Sequence, residues 1–135
     1  MNVNDVSPSV ASIALFGALL IAVVVAAGCG GSVASELSPQ AADGRQVANT
    51  SGCASCHGAD GTGGVGPAFV GLYGSDVQLA DGSTVVADDE YLRRSITDPG
   101  AERVEGYAVN MPSTDLDEDE IEAVLAYIRE LGSTP

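Results

Sequence analysis

Between Gly58 and Gly74 seven of seventeen residues are glycine, and the side chains that remain follow neither a helical nor a strand period. Glycine loses more conformational freedom on folding than any other residue. Such a stretch does not hold a shape by its own secondary structure; it needs a large apolar body to fold against. Ordinary side chains are a poor supply of one, since the chain has two Phe, four Tyr and no Trp. What orders the loop therefore has to come with the residues just ahead of it, Cys53-Ala54-Ser55-Cys56-His57.

Three chemistries compete for this region. Gly61, Gly63 and Gly66 spell the G-x-G-x-x-G of a phosphate-cradling loop, but that loop must follow a buried strand and open a helix. Here Asn49-Thr50-Ser51-Gly52-Cys53 is polar, and Pro67-Ala68-Phe69 begins no capped amphipathic helix. A structural zinc site wants four Cys or His ligands, and after Cys53, Cys56 and His57 only Cys29 is left, at the end of an apolar segment. A thioredoxin-like dithiol wants a βαβ pattern nearby, and none is visible. The pentad C-x-x-C-H remains, the attachment signature of a covalent c-type haem. Two cysteines three apart each form a thioether with one vinyl group of the same porphyrin, and the adjacent histidine faces the iron. His57 is the only histidine in the chain. One covalently attached haem c is the expected cofactor, and its porphyrin face is the body on which the glycine-rich loop is ordered.

The sixth ligand follows by elimination. Lys is absent and Met1 lies beyond an apolar segment, so Met111 is the available strong-field donor. Pro112 biases it towards an extended conformation, and its neighbours Asn110, Ser113 and Thr114 are polar rather than core-like. The rival use of a methionine is to fill a gap in the core. Ligation by His57 and Met111 raises the iron's potential and blocks exogenous ligands, which implies electron transfer and no catalytic residue.

The rest of the chain reads as helices around that centre. Ser38 and Pro39 form an N-cap and first helical position, opening a helix to about Thr50 that leaves the pentad in a loop. Val77 to Val86 is a hairpin about a two-residue Asp81-Gly82 turn. Asp88 or Asp89 caps a helix through Ile96, closed by Thr97-Asp98-Pro99-Gly100. Asp117 and Glu120 form a capping pair ahead of Ile121, Val124, Leu125 and Ile128 at helical spacing, and Gly132 ends that helix. The carboxylate run Asp115 to Glu122 is a solvated first turn favoured by the helix dipole, rather than a catalytic or calcium cluster. The expected fold is all-α: three main helices around one covalent haem, with a small β-hairpin insertion.

Ahead of this domain, Val10 to Gly28 carries no charge over nineteen residues, close to the length of a membrane span. Residues 1–28 are expected to be a signal or transmembrane anchor, 29–38 a flexible tether, and 39–132 the haem domain. Ala26-Ala27-Gly28-Cys29 has the small-residue pattern that precedes a lipidated cysteine, whereas MNVNDVSPSV has no Lys or Arg and makes a poor signal n-region. A lipoprotein anchored through Cys29 and an uncleaved helix both stay open, with a soluble cleaved product as a third reading. Beyond residue 28 eighteen acidic residues face five Arg. That surface repels nucleic acid and anionic lipid, and suits either a basic partner or a salty habitat.

From about Ser38 to Leu131 the chain resembles a class I c-type cytochrome. Within it Gly66-Pro67-Ala68-Phe69-Val70-Gly71-Leu72-Tyr73-Gly74, Leu79-Ala80-Asp81-Gly82-Ser83-Thr84-Val85 and Tyr91-Leu92-Arg93-Arg94-Ser95-Ile96 are similar to the cytochrome c domain of caa-type haem-copper oxidase subunit II. The copper-binding cupredoxin domain of that fusion is not seen ahead of them. The resemblance implies that the Pro67 carbonyl accepts the Nδ1 proton of His57, and that the first and last helices cross near Gly44 and Tyr127, where a missing side chain lets an aromatic approach. Arg93 or Arg94 is a candidate to pair with a haem propionate, against the alternative of a solvated helix face. The function implied is a membrane-tethered carrier of single electrons on the outer, periplasmic face of the cell membrane. Its partners would be respiratory donors and acceptors, a haem-copper oxidase among them. The alternatives are a fixed haem subunit of a terminal oxidase or quinol-oxidising complex, and a ligand-binding haem sensor.

Overall fold

The computed structural model describes residues 36–132. The expected anchor, Cys29 and most of the tether lie outside the described residues. Among the described residues no helix is long and apolar enough to cross a membrane. Four helices and one hairpin follow in order: α1 (Pro39–Thr50), α2 (Cys53–His57), β1 (Asp76–Gln78), β2 (Thr84–Val86), α3 (Asp89–Thr97) and α4 (Glu118–Gly132).

The sequence explains the helix ends. Ser38 Oγ accepts from the Ala41 amide at 3.3 Å, satisfying a donor that the first turn of α1 leaves open. Asp88 does the same for Tyr91 at 2.8 Å. At α4 the capping box closes in both directions: Glu120 N donates to Asp117 Oδ1 at 2.9 Å, and Asp117 N donates to Glu120 Oε2 at 3.0 Å. Leu37 packs against the core and Ser38 N donates to Glu130 at 2.9 Å, so the end of the 29–38 stretch belongs to the domain.

The main packing is α1 on α4. Ala41, Gly44 and Ala48 form the buried face of α1, and α4 meets it with a buried stripe that includes Ile121, Val124, Leu125 and Ile128. Leu125 and Val124 are the largest fully buried side chains, each contributing roughly 1.5–3 kcal/mol by leaving water. The helices meet at Gly44 as expected, but what approaches it differs. A Cβ on Gly44 would lie 1.9 Å from the Ala123 carbonyl oxygen, so the missing side chain admits the backbone of α4 rather than an aromatic ring. Tyr127 lies further along α4, is 2 % exposed, and sets its ring edge-on to Phe69 at 6.4 Å between centroids.

Two local elements also depart from expectation. The pentad is not a loop but the short helix α2, entered through Gly52 at φ +87°. Five residues are too few for a helical period to show in sequence. In the hairpin Asp76, Val77 and Gln78 pair with Val86, Val85 and Thr84, but the connection is a three-residue loop, Ala80 to Gly82. Gly82 N donates to Leu79 O, and Leu79 N to Ser83 O, both at 2.9 Å. Gly82 alone in the loop takes positive φ (+86°), whereas a two-residue type I′ turn needs it at Asp81 as well. Asp81 instead uses its carboxylate to accept from Ser83 N at 2.9 Å and from the Ser83 hydroxyl at 2.6 Å.

The glycine-rich stretch runs without regular structure from α2 to β1. Backbone bonds pin it: Gly66 N to Cys56 O at 3.0 Å, Gly63 N to His57 O at 2.7 Å, and Phe69 N and Val70 N to Gly61 O at 2.8 and 3.0 Å. Gly71 N then reaches Leu131 O at 3.2 Å, tying the loop to the end of α4.

Candidate haem site

A cavity of about 670 Å³ opens beside α2, within the size range of cofactor pockets. Cys53, Cys56 and His57 line it from α2, Pro67 and Phe69 from the glycine-rich loop, Leu92 and Ile96 from α3, and Met111 from the segment before α4. The expected attachment and ligand residues Cys53, Cys56, His57, Pro67 and Met111 therefore border one space, although Met111 lies 54 positions beyond His57 in the chain.

His57 is buried, and three neighbours hold its ring. Nδ1 donates to the Pro67 carbonyl at 2.7 Å. A carbonyl only accepts, so Nδ1 carries the proton and Nε2 keeps its lone pair for a ligand. Phe69 stacks on the imidazole at 4.5 Å between centroids and 18° between planes. On Gly66 a Cβ would come within 3.0 Å of Cε1 and 3.2 Å of both ring nitrogens, so the backbone there lies against the ring. Orienting contacts of this kind set the tautomer and direction of a histidine that binds metal.

Burial pushes the Cys53 thiol above its ordinary pKa, and the neighbouring Cys56 adds to the rise. Reactive and redox cysteines work as thiolates with a lowered pKa, so the environment of Cys53 runs against the dithiol reading. It suits a thiol that becomes a neutral thioether. Met111 is half-buried in a segment with no regular structure and packs against the core. Among the described residues no group of three or more His, Cys, Asp or Glu is placed to hold a metal ion, so the carboxylates from Asp115 to Glu122 form no such cluster.

Neither Arg93 nor Arg94 lines the cavity. Arg93 pairs with Glu118 and Glu122 of α4. Arg94 takes Glu102 with Nε at 3.0 Å and Nη2 at 3.2 Å, and Glu90 at 3.4 Å. Both arginines are spent tying α3 to neighbouring segments, which corrects the expectation that one of them meets a haem propionate. The arginine that does line the cavity is Arg103. Sequence reasoning missed it, together with the packing of Phe69 and Gly66 on His57. The closeness of Phe69 to Pro67, two residues on, was the one available signal for that packing.

The donor set and the space fit a covalent porphyrin: two thiols three residues apart, an adjacent imidazole with its proton already committed, and a mainly apolar cavity. A family model described as Cytochrome c matches residues 41–132. No curated protein matches the chain.

Proposed function

Because this chain belongs to the cytochrome c family, whose members carry covalently attached haem c on a C-x-x-C-H motif such as Cys53, Cys56 and His57, we propose that it is a membrane-tethered single-haem electron carrier of a respiratory chain. When bound, the haem supplies one-electron redox chemistry at its iron. The protein's own residues do the rest. Cys53 and Cys56 would hold the group by two thioethers, His57 would offer it Nε2, and Met111 would offer its thioether sulfur. A six-coordinate iron with a methionine ligand has a raised potential and no open position for oxygen or peroxide. The observation that carries this reading is the hydrogen bond from His57 Nδ1 to Pro67 O at 2.7 Å beside the two cysteines, in the cavity that Met111 also lines.

Tethering the domain on the outer face of the cell membrane, through the apolar segment 10–28 or through Cys29, would raise its effective concentration near membrane-bound partners. The likeness of residues 66–74, 79–85 and 91–96 to the cytochrome c domain of caa-type oxidase subunit II supports a haem-copper oxidase as acceptor. The same likeness favours a second reading, a haem subunit docked permanently in such a complex.

Intact mass and a carbon monoxide titration test the carrier reading. The expected result is one haem adduct on the polypeptide and a reduced, low-spin protein that does not take up carbon monoxide at once. Immediate uptake would favour the ligand-binding sensor, and a mass without the adduct would end the case. Mild detergent extraction followed by sizing separates a free carrier from a fixed subunit.

A further inference from the structure

Four of the five arginines hold carboxylates of the protein itself. Arg45 meets Asp60 at 2.7 Å, Arg93 meets Glu118 and Glu122, Arg94 meets Glu102 at 3.0 Å, and Arg129 meets Asp89 at 2.6 Å. In a chain of formal net charge −14 such pairing is the default. Arg103 is the exception: among the described residues no carboxylate lies within 4.0 Å of it. Its neighbour Glu102 is turned to Arg94, which grips both carboxylate oxygens. Arg103 is also the only arginine that lines the haem cavity.

The segment bearing it is fixed by the hairpin. Ala80 N donates to Arg103 O at 2.8 Å, Val104 bridges Leu79 in antiparallel fashion, and Glu105 N donates to Gln78 O at 2.9 Å. Leu79 is buried, so this seam is anchored in the core. The β1–β2 hairpin, whose Val77 and Leu79 are buried in the core, thus sets the backbone of the exposed Arg103 on the cavity lining. A fixed origin lowers the entropy lost when a long side chain settles on one partner.

We propose that Arg103 binds a propionate carboxylate of the haem and that the hairpin is the frame that positions it there. This rests on the haem reading above. A porphyrin brings two carboxylates into a chain already dense with them, and the cavity has one cation without a partner to receive them. The planar fork of arginine matches a carboxylate through two parallel hydrogen bonds. A cation held beside the haem also disfavours the oxidised iron, which carries one more positive charge, so Arg103 raises the reduction potential.

The test compares haem-loaded wild type, Arg103→Gln, Arg103→Lys and Arg45→Gln by midpoint potential at low salt and at about 1 M salt, where the Debye length is about 3 Å. Arg45→Gln makes the same charge change at a surface pair with Asp60. The expected result for Arg103→Gln is about a tenfold shift towards the oxidised state, equivalent to about 59 mV for one electron, persisting at high salt because the pair is in contact. Arg103→Lys should recover more than half of it, and Arg45→Gln should leave the potential unchanged. A shift that disappears at high salt, or one matched by Arg45→Gln, overturns the proposal and makes Arg103 an ordinary surface charge. Mass and absorption spectra of the same samples separate the two layers of argument: wild type without a haem adduct overturns both readings, whereas loaded, low-spin Arg103→Gln at the wild-type potential overturns this one alone.

Discussion

Gly66 lies against the imidazole of His57, so close that a Cβ would sit 3.0 Å from Cε1. The ring is caught between this backbone and the Pro67 carbonyl, 2.7 Å from Nδ1. Gly66→Ala should tilt the ring by a few tenths of an ångström and weaken that hydrogen bond. A lower haem-loaded fraction and a partial high-spin signal in the oxidised protein are the expected results. Full loading with an unaltered spectrum would show that the ring has room to move.

The contact of Gly44 with the Ala123 carbonyl sets how closely α1 and α4 approach. Neither side is a flexible side chain, so Gly44→Ala has to push two helices apart. Overpacking of this kind costs about 3 kcal/mol, which for a domain of this size lowers Tm by roughly 12–24 °C. Thermal unfolding of the haem-loaded protein measures it, and a fall of less than about 4 °C would mean that the helices re-seat at little cost.

How much of this was legible in the sequence depended on range. The caps at Ser38, Asp88 and Asp117 are local, since each side chain bonds a backbone three residues away, and so is the cysteine–histidine spacing. The Gly44 contact is with backbone far along the chain, and backbone leaves no mark in residue types. Tyr127 was expected there only because the family resemblance implied it. Asp81-Gly82 fits more than one turn type, and the bond from Leu79 N to Ser83 O carries the β1–β2 pairing one residue further, which leaves a three-residue loop. Arg93 and Arg94 could not be assigned because eighteen carboxylates compete for them. Only the packing of α3 on α4, and of Glu102 on Arg94, decides which are reached.

The hairpin turn should loosen in acid. The Ser83 hydroxyl and then the Ser83 amide, both donating to Asp81, hold its carboxyl below the usual carboxylate range. A group whose folded pKa is depressed stabilises the fold above its unfolded value, about 3.9 for Asp, and that contribution is lost as pH falls through the folded value. The protection of the Ser83 amide against exchange, relative to the unfolded chain at the same pH, should therefore fall below about pH 4. Asp81→Asn should flatten this pH dependence, and an equal dependence in the variant would place its origin elsewhere.

Met111 carries the sharpest expectation. It is half-buried, lines the cavity with His57 in a segment without regular structure, and is followed by Pro112, which disfavours helix at Met111. If its sulfur is the second axial ligand, Met111→Ala leaves His57 as the one protein ligand. The reduced protein should then turn from six-coordinate low-spin to high-spin and bind carbon monoxide at once. Met111→His should stay low-spin but at a lower potential, because a methionine ligand raises the potential. A methionine that merely fills the core predicts a different pair of results. Met111→Ala would then lower stability by roughly 2–5 kcal/mol with no change in spin state, and Met111→His would leave the potential where it was. Spectra and potentials of the two variants together decide between the roles, because loss of packing cannot mimic exchange of a ligand.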